Sequence, residues 1–256
     1  EFKSLFNYCK KLNIKFLASC FDICSLNIYS QLGASIFKIP SGEITNLPLL
    51  ELIGSKKKQV ILSTGMSTYQ EIKEALDILV KKGTPKRDIT ILQCTTDYPC
   101  EMKDVNLLVI PQIAKTFKCK VGFSDHTLGI QASIAAVILG ATVIEKHFTL
   151  NKKLLGPDHQ LSMDPKEFKL LYGNIRKIKV ILGNEAILPS KTENKTKKIF
   201  RRSVTTLKYI KKGEKYSKDN LCIKRPATGL HPKYLNYLLG KKAKVNIKIN
   251  SKIKKR

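Results

Sequence analysis

The stretches KVGFSDHTLGI at residues 120–130 and TVIEKHFTL at 142–150 share one plan. Each opens on a short run of apolar and β-favouring residues and closes on chemically capable ones, Ser124-Asp125-His126 in the first and Glu145-Lys146-His147 in the second. Working outward, the same rhythm recurs from Ile14 onward: an apolar run, a polar or glycine-containing turn, then a helical stretch. The runs are Ile14–Ala18, Ser35–Ile39, Gln59–Ser63, Ile89–Cys94, Lys120–Phe123 and Thr142–Lys146, with helices predicted over Tyr69–Lys82 and Ile130–Gly140. Apolar runs separated by a helix read as parallel βαβ units whose sheet is covered on both faces. The strand tails hold Ser19, Lys38 with Ser41 and Glu43, Ser63-Thr64-Gly65, Thr96-Asp97-Tyr98, Ser124-Asp125-His126 and Glu145-Lys146-His147. A doubly wound sheet concentrates its site at one switch point, whereas a (β/α)8 barrel draws it from the carboxyl ends of several strands. The predicted fold is therefore α/β, a TIM barrel of which about six βα units are present. Six strands do not close such a barrel, and the chain starts at Glu1 inside a helix-like segment, so we expect two further units upstream.

The composition supports a packed core. The chain has 256 residues, 43% of them apolar, which excludes a disordered basic tail. The longest apolar stretch, Ala132–Ile144, runs into Glu145 and Lys146, whereas a bilayer span needs about 20 residues; a soluble protein is expected. Seven cysteines without a CxxC pair are expected to be buried free thiols of a reducing cytoplasm.

The net charge of +27 suggests a polyanion partner. However, only six of the 47 basic residues are Arg, the residue favoured for base readout and bidentate phosphate contacts. Residues 184–256 carry +18 of the charge without the aromatic-interleaved stripe of a stacking platform. No nucleic-acid partner is expected; a basic nucleic-acid-binding module is the rival reading. The βα rhythm stops near Gly183. This divides the chain into a partial-barrel part at 1–183, a Lys-rich linker at 184–198 and a small β-rich domain at 199–256, with short strands over Ser203–Thr206, Leu221–Ile223 and Ala243–Ile247.

His126 and His147 follow neighbouring strands, so they come side by side on one face. Two imidazoles plus water or carboxylate oxygens make an open divalent site of the kind that polarises a carbonyl. With two protein ligands, Mn²⁺ or Mg²⁺ is expected rather than structural Zn²⁺. Lys38, ringed by Ser19, Ser41, Ser63 and Ser124, suits a phosphate or carboxylate. Glu43, Tyr98 and Asp158 add groups able to bind a polyol. Asp125 reads either as a helix cap or as a partner of a ligand.

The blocks FKIPSGEITNLPLL, ILSTGM, LQCTTDYP, VGFSDHTLGI, ATVIEKHFTL and GPDHQLSM, in this order, resemble the bacterial N-acetylneuraminate (sialic acid) synthase family, which condenses phosphoenolpyruvate with an N-acyl amino sugar. The tail blocks FRRSVTTLKYIKKGE, IKRPATGL and LGKKAKVNI resemble its antifreeze-like SAF domain. The resemblance implies that His126 and His147 bind Mn²⁺, that Lys38, Ser19, Ser41, Ser63 and Ser124 hold phosphoenolpyruvate, and that Glu43, Tyr98 and Asp158 face the sugar. Thr96 stands where some members carry Asn and is expected to touch substrate. Lys38, Glu43 and His126 are the implied catalytic residues, Glu43 by positioning a water. Arg225 is implied to close the partner subunit's site in a domain-swapped homodimer. The sugar is expected to be N-acetylmannosamine, with legionaminate or pseudaminate synthesis, or an inactive truncated synthase, as the alternatives. The family's first two strands supply an acidic residue and a lysine that nothing in this sequence replaces.

Overall fold

The computed structural model describes residues 1–254 in two compact units, Glu1–Gly183 and Asn184–Arg256. In the first unit, helices α1 (Phe2–Lys11) and α2 (Ile23–Gln31) precede strand β1 (Ile36–Ile39). Four βα repeats follow: α3 (Leu47–Ser55) and β2 (Gln59–Ser63), α4 (Tyr69–Lys81) and β3 (Ile89–Cys94), α5 (Val109–Phe117) and β4 (Lys120–Asp125), α6 (Gln131–Ile138) and β5 (Val143–Lys146). Helix α7 (Pro165–Leu182) ends the unit.

The strands form one parallel sheet in sequence order. Every residue of the central β3 is buried, as a strand covered on both faces requires. The helices begin where local chemistry starts them. Thr68 caps α4 in a reciprocal box with Glu71, and Asp164 caps α7 in the same way with Glu167, ahead of Pro165 in its first turn. Helix α4 then buries Ile72, Ala75, Leu76 and Leu79, the i, i+3, i+4, i+7 face of an amphipathic helix. Phe37, Ile39, Leu62, Ile91 and Phe123 of the sheet and Leu49, Leu50 and Ile53 of α3 belong to the same core.

The sheet is strongly curved. Four inter-strand steps in a flat sheet would separate β1 from β5 by about 19 Å. Yet Lys38 Nζ of β1 lies 3.6 Å from Glu145 Oε1 of β5. Only an arc that turns its inner face upon itself brings these edge strands within reach, and this is the half-barrel that the strand tails implied. One expected strand is absent. Ile14–Ala18 forms no ladder, and only the backbone bridge Ser19↔Lys38 follows it. Ile14 and Leu17 stay exposed, and the segment meets the sheet only through that bridge.

The second unit opens on α8 (Lys191–Phe200), and a single hairpin-like pair, β6 (Ser203–Thr206) and β7 (Leu221–Lys224), is antiparallel. Residues 184–198, expected as linker, thus contain most of a helix, started by a Ser190–Glu193 capping box. Ala243–Ile247 forms isolated bridges rather than a strand: Ile247 pairs with Ile210, and Lys242, just before it, with Lys215. A short helix α9 (Leu235–Leu238) intervenes. Val204, Ile210, Leu221, Ala243 and Ile253 make the small core. Among the described residues no helix is long and apolar enough to cross a membrane.

Candidate active site

Strand alternation decides which tail residues meet, because successive side chains point to opposite faces. Cys94 pairs with Ser124, and Ser124 with Glu145, on one transverse row of the sheet. Ser124 donates its hydroxyl to Glu145 Oε1 at 2.7 Å. Lys38 projects into the same space, donating to Ser63 Oγ at 2.8 Å and to the Ile39 carbonyl at 3.3 Å. The Lys38 side chain is only 6% exposed, against 39% for Glu145. Burial holds the Lys38 amine below the ordinary lysine range, although the Glu145 charge pulls the other way. An ammonium with one partly solvated counter-ion and two hydroxyls nearby is poised for an anion that outcompetes the carboxylate.

Two residues further along the same faces stand His126 and His147, their ring centroids 5.4 Å apart. Tyr98 lies against both, 4.0 Å from the His126 ring and 5.4 Å from the His147 ring. His126 Nδ1 is 2.7 Å from the Thr95 carbonyl oxygen. A carbonyl only accepts, so Nδ1 carries the proton and Nε2 keeps its lone pair. Burial opposes the charged form of His126, but the Cys94 sulfur and the Thr95 carbonyl outweigh it and raise its pKa. His147 is shifted the other way, downward, by burial and by His126.

The donor set fits an open divalent site. One imidazole is fixed by a backbone carbonyl with its second nitrogen available, as metal-ligating histidines usually are. Its neighbour lies within one ring's reach, with Asp158 Oδ2 3.6 Å from His147 Nδ1. Among the described residues no group of three or more His, Cys, Asp and Glu side chains is arranged to hold a metal ion, so an ion on the two imidazoles would take the rest of its shell from water or substrate oxygens.

The other predicted residues divide into two groups. Ser41 Oγ accepts from the Gly65 N–H at 2.9 Å, which ties the loop after β1 to the loop after β2. Thr96 packs at that same junction. A β-carbon on Gly65 would lie 2.1 Å from Thr96 Oγ1 and 2.9 Å from Ser41 Oγ, so only glycine lets the three loops converge. Gly65→Ala is expected to lower stability by about 1 to 3 kcal/mol through overpacking, measurable by thermal unfolding. Glu43 is turned to Asn46, accepting from Nδ2 at 2.6 Å, and makes no hydrogen bond with the Lys38 group among the described residues. Ser19 meets Lys38 only through the backbone bridge and is itself exposed. Arg225 belongs to the second unit, exposed, with its guanidinium 5.3 Å from the Phe200 ring centroid.

Two further residues join the cluster: Glu145, which the sequence placed among the strand tails without a role, and Cys94, which it placed only among the buried thiols. The signal for Glu145 was its spacing, since i and i+2 on a strand place it on the face of His147. Cys94 is buried beneath His126, its sulfur 4.0 Å from Nδ1.

Both units of the chain resemble known proteins. Residues 1–186 match the NeuB family and residues 201–255 the SAF domain. The chain is 49% identical to the N,N'-diacetyllegionaminic acid synthase of Campylobacter jejuni, over 96% of this chain and 74% of that one. It is 36% identical to the pseudaminic acid synthase of Helicobacter pylori, covering 96% and 72% of the two. The crystal structure of the N-acetylneuraminic acid (sialic acid) synthetase of Leptospira borgpetersenii, in complex with citrate, is 36% identical and superposes with a TM-score of 0.72 over 76% of this chain and 67% of that one. The chain belongs to the NeuB family of phosphoenolpyruvate-dependent synthases and carries the SAF domain in its second unit.

Proposed function

We propose that this protein condenses phosphoenolpyruvate with an N-acyl amino sugar to give a nonulosonic acid and phosphate. The observation that carries the reading is the convergence of Lys38, Ser63, Ser124 and Glu145 beside the His126–His147 pair. Lys38, Ser63 and Ser124 hold the phosphate and carboxylate, with Glu145 as the counter-ion that the bound anion replaces. Ser41 and Ser19 are assigned to the same substrate. His126 and His147 hold a divalent ion, Mn²⁺ in preference to Mg²⁺. When bound, such an ion supplies a Lewis acid for a carbonyl oxygen.

Tyr98, Thr96 and Asp158 orient the open-chain sugar so that its aldehyde carbon faces the methylene carbon of phosphoenolpyruvate. Such positioning is worth several kcal/mol of barrier. The C–C bond forms as the aldehyde C=O π bond opens, its oxygen taking up a proton to become a hydroxyl, and positive charge is left on the central carbon of the former enol, where water adds. Glu43 positions that water or takes its proton. Collapse with C–O cleavage releases phosphate and leaves the 2-keto acid. Arg225 is assigned to the sugar end of a partner subunit's site in a swapped homodimer. Arg225→Ala is then expected to raise the sugar KM about 10-fold and leave the phosphoenolpyruvate KM unchanged in steady-state assays; an unchanged sugar KM counts against that role. All seven cysteines are free, though only Cys20, Cys94 and Cys100 are buried and Cys24 is exposed, against the expectation of buried thiols; unpaired thiols suit a reducing cytoplasm.

The 49% identity to a diacetyllegionaminic acid synthase supports a 2,4-diacetamido hexose as the sugar, ahead of N-acetylmannosamine. The test is phosphate release from phosphoenolpyruvate with each sugar. We expect kcat/KM to favour the diacetamido sugar by about 10-fold or more, the usual range for one or two substituent contacts. A preference for N-acetylmannosamine would assign the protein to sialic acid synthesis, and no release with either would sink the condensation itself.

A further inference from the structure

The two histidines do not sit on the paired part of the sheet. The β4–β5 ladder ends at Asp125↔Lys146, and His126 and His147 are the next residues of each strand. Beyond that pair no ladder hydrogen bond joins the two histidines to each other; their backbone carbonyls accept instead from the Cys100 N–H at 3.0 Å and the Met163 N–H at 2.9 Å. What lies at the last pair is an ion pair, Lys146 Nζ to Asp125 Oδ2 at 2.9 Å, with side chains 3% and 0% exposed. By alternation it faces away from the Ser124–Glu145 contact, toward the helices. Lys146 also donates to the Thr127 carbonyl at 2.5 Å. Asp125 accepts from the Thr127 N–H and hydroxyl, both at 2.8 Å, and from Ser133 Oγ of α6 at 2.5 Å.

A fully buried ion pair is a costly way to hold two strands, because apolar residues of the same volume commonly do so as well or better. Its distinctive property is direction. Five polar contacts converge from β5, the 125–127 turn and α6, and they brace His126 from both sides, at 125 and at 127. The same lysine precedes His147. Displacing either charge is therefore expected to shift one imidazole relative to the other, since the remaining anchors, from Cys100 and Thr95 for His126 and from Met163 for His147, come from separate segments.

We propose that Asp125 and Lys146 are positioning residues that set the separation of His126 and His147, and through it the affinity for the divalent ion. This rests on the reading of the two histidines as ligands. It does not extend to the Lys38 anion group, none of whose hydrogen bonds involves the clamp.

The experiment compares the wild type, His126→Ala and the double variant Asp125→Asn/Lys146→Met. The double variant removes both charges together, so that neither is left buried alone. Free Mn²⁺ is followed by electron paramagnetic resonance during titration, and phosphoenolpyruvate binding is measured by calorimetry without metal. The double variant is expected to fold, to bind Mn²⁺ about 10- to 100-fold more weakly, as loss of partners around metal ligands does, and to keep phosphoenolpyruvate affinity within about 3-fold. Mn²⁺ affinity within twofold of wild type, or equal weakening of both ligands, overturns the positioning role. Mn²⁺ binding by His126→Ala as tight as by wild type overturns the metal reading itself. Should the double variant not fold, Ser133→Ala takes one donor from Asp125 and leaves the pair intact. It is expected to weaken Mn²⁺ about 3-fold at unchanged phosphoenolpyruvate affinity, in keeping with one lost hydrogen bond, and unchanged Mn²⁺ affinity would again overturn the role.

Discussion

Lys38→Met is expected to cost phosphoenolpyruvate binding at least about 100-fold while leaving the fold intact. Truncating one partner of a buried, charge-assisted contact typically removes about 2 to 5 kcal/mol of binding, and Lys38 is the cation at the centre of the group, 2.8 Å from Ser63 and 3.6 Å from Glu145. Stability should respond differently. Burial sets the Lys38 pKa below its ordinary value. A folded-state pKa below that of the unfolded chain means that the charged amine costs stability at every pH below the folded value, and that the cost fades as pH rises from there toward the unfolded value. Methionine removes this cost, and Glu145, being 39% exposed, is left solvated rather than stranded. The lost Ser63 contact offsets the gain, so Tm near neutral pH should stay within about 4 °C of wild type. In the wild type, binding should weaken as rising pH discharges Lys38, whereas the variant should bind weakly at all pH values. Calorimetry across pH checks both; tight binding by a folded Lys38→Met protein would remove Lys38 from the anion site.

His126→Ala is expected to lower metal-dependent kcat by about 10³-fold or more, which corresponds to the several kcal/mol that Lewis-acid stabilisation of a developing alkoxide provides. The side chain is fixed on one nitrogen by the Thr95 carbonyl at 2.7 Å and against Tyr98 at 4.0 Å. Its other nitrogen is therefore aimed rather than free to wander. The alanine variant leaves the Thr95 carbonyl without its donor, worth about 1 kcal/mol, which a thermal melt should register as a modest loss. The phosphoenolpyruvate affinity measured without metal should stay close to wild type, because the hydrogen bonds of Lys38 and Ser124 go to Ser63, the Ile39 carbonyl and Glu145 and not to this ring. A folded variant that retains the wild-type rate would eliminate His126 as a ligand.

The inner face of the arc was legible because parallel strands buried on both sides read as apolar runs, and their tails therefore stand out as polar interruptions. Lys38, Ser63, Ser124, His126 and His147 were found in this way, and the structure brings them to one mouth. Glu145 stood among those tails without a role, since its ion pair with Lys38 depends on the curvature that closes β5 upon β1. The expected strand at Ile14–Ala18 has the right composition, but a strand needs a ladder, and the only pairing there is Ser19↔Lys38. In the second unit, Lys-rich composition masked α8, although Ser190 and Glu193 spell its capping box. Short bridges such as Ile210↔Ile247 depend on a fold too small to impose a strong hydrophobic period.

In the proposed reaction one strand-end cluster brings phosphoenolpyruvate, an amino sugar and a divalent ion together. The decisive experiment is phosphate release by the purified protein, measured with each of the three omitted in turn after chelation and dialysis. Release is expected only when phosphoenolpyruvate, an N-acyl amino sugar and Mn²⁺ or Mg²⁺ are all present. Equal release without the sugar, or an undiminished rate under chelator, would contradict it.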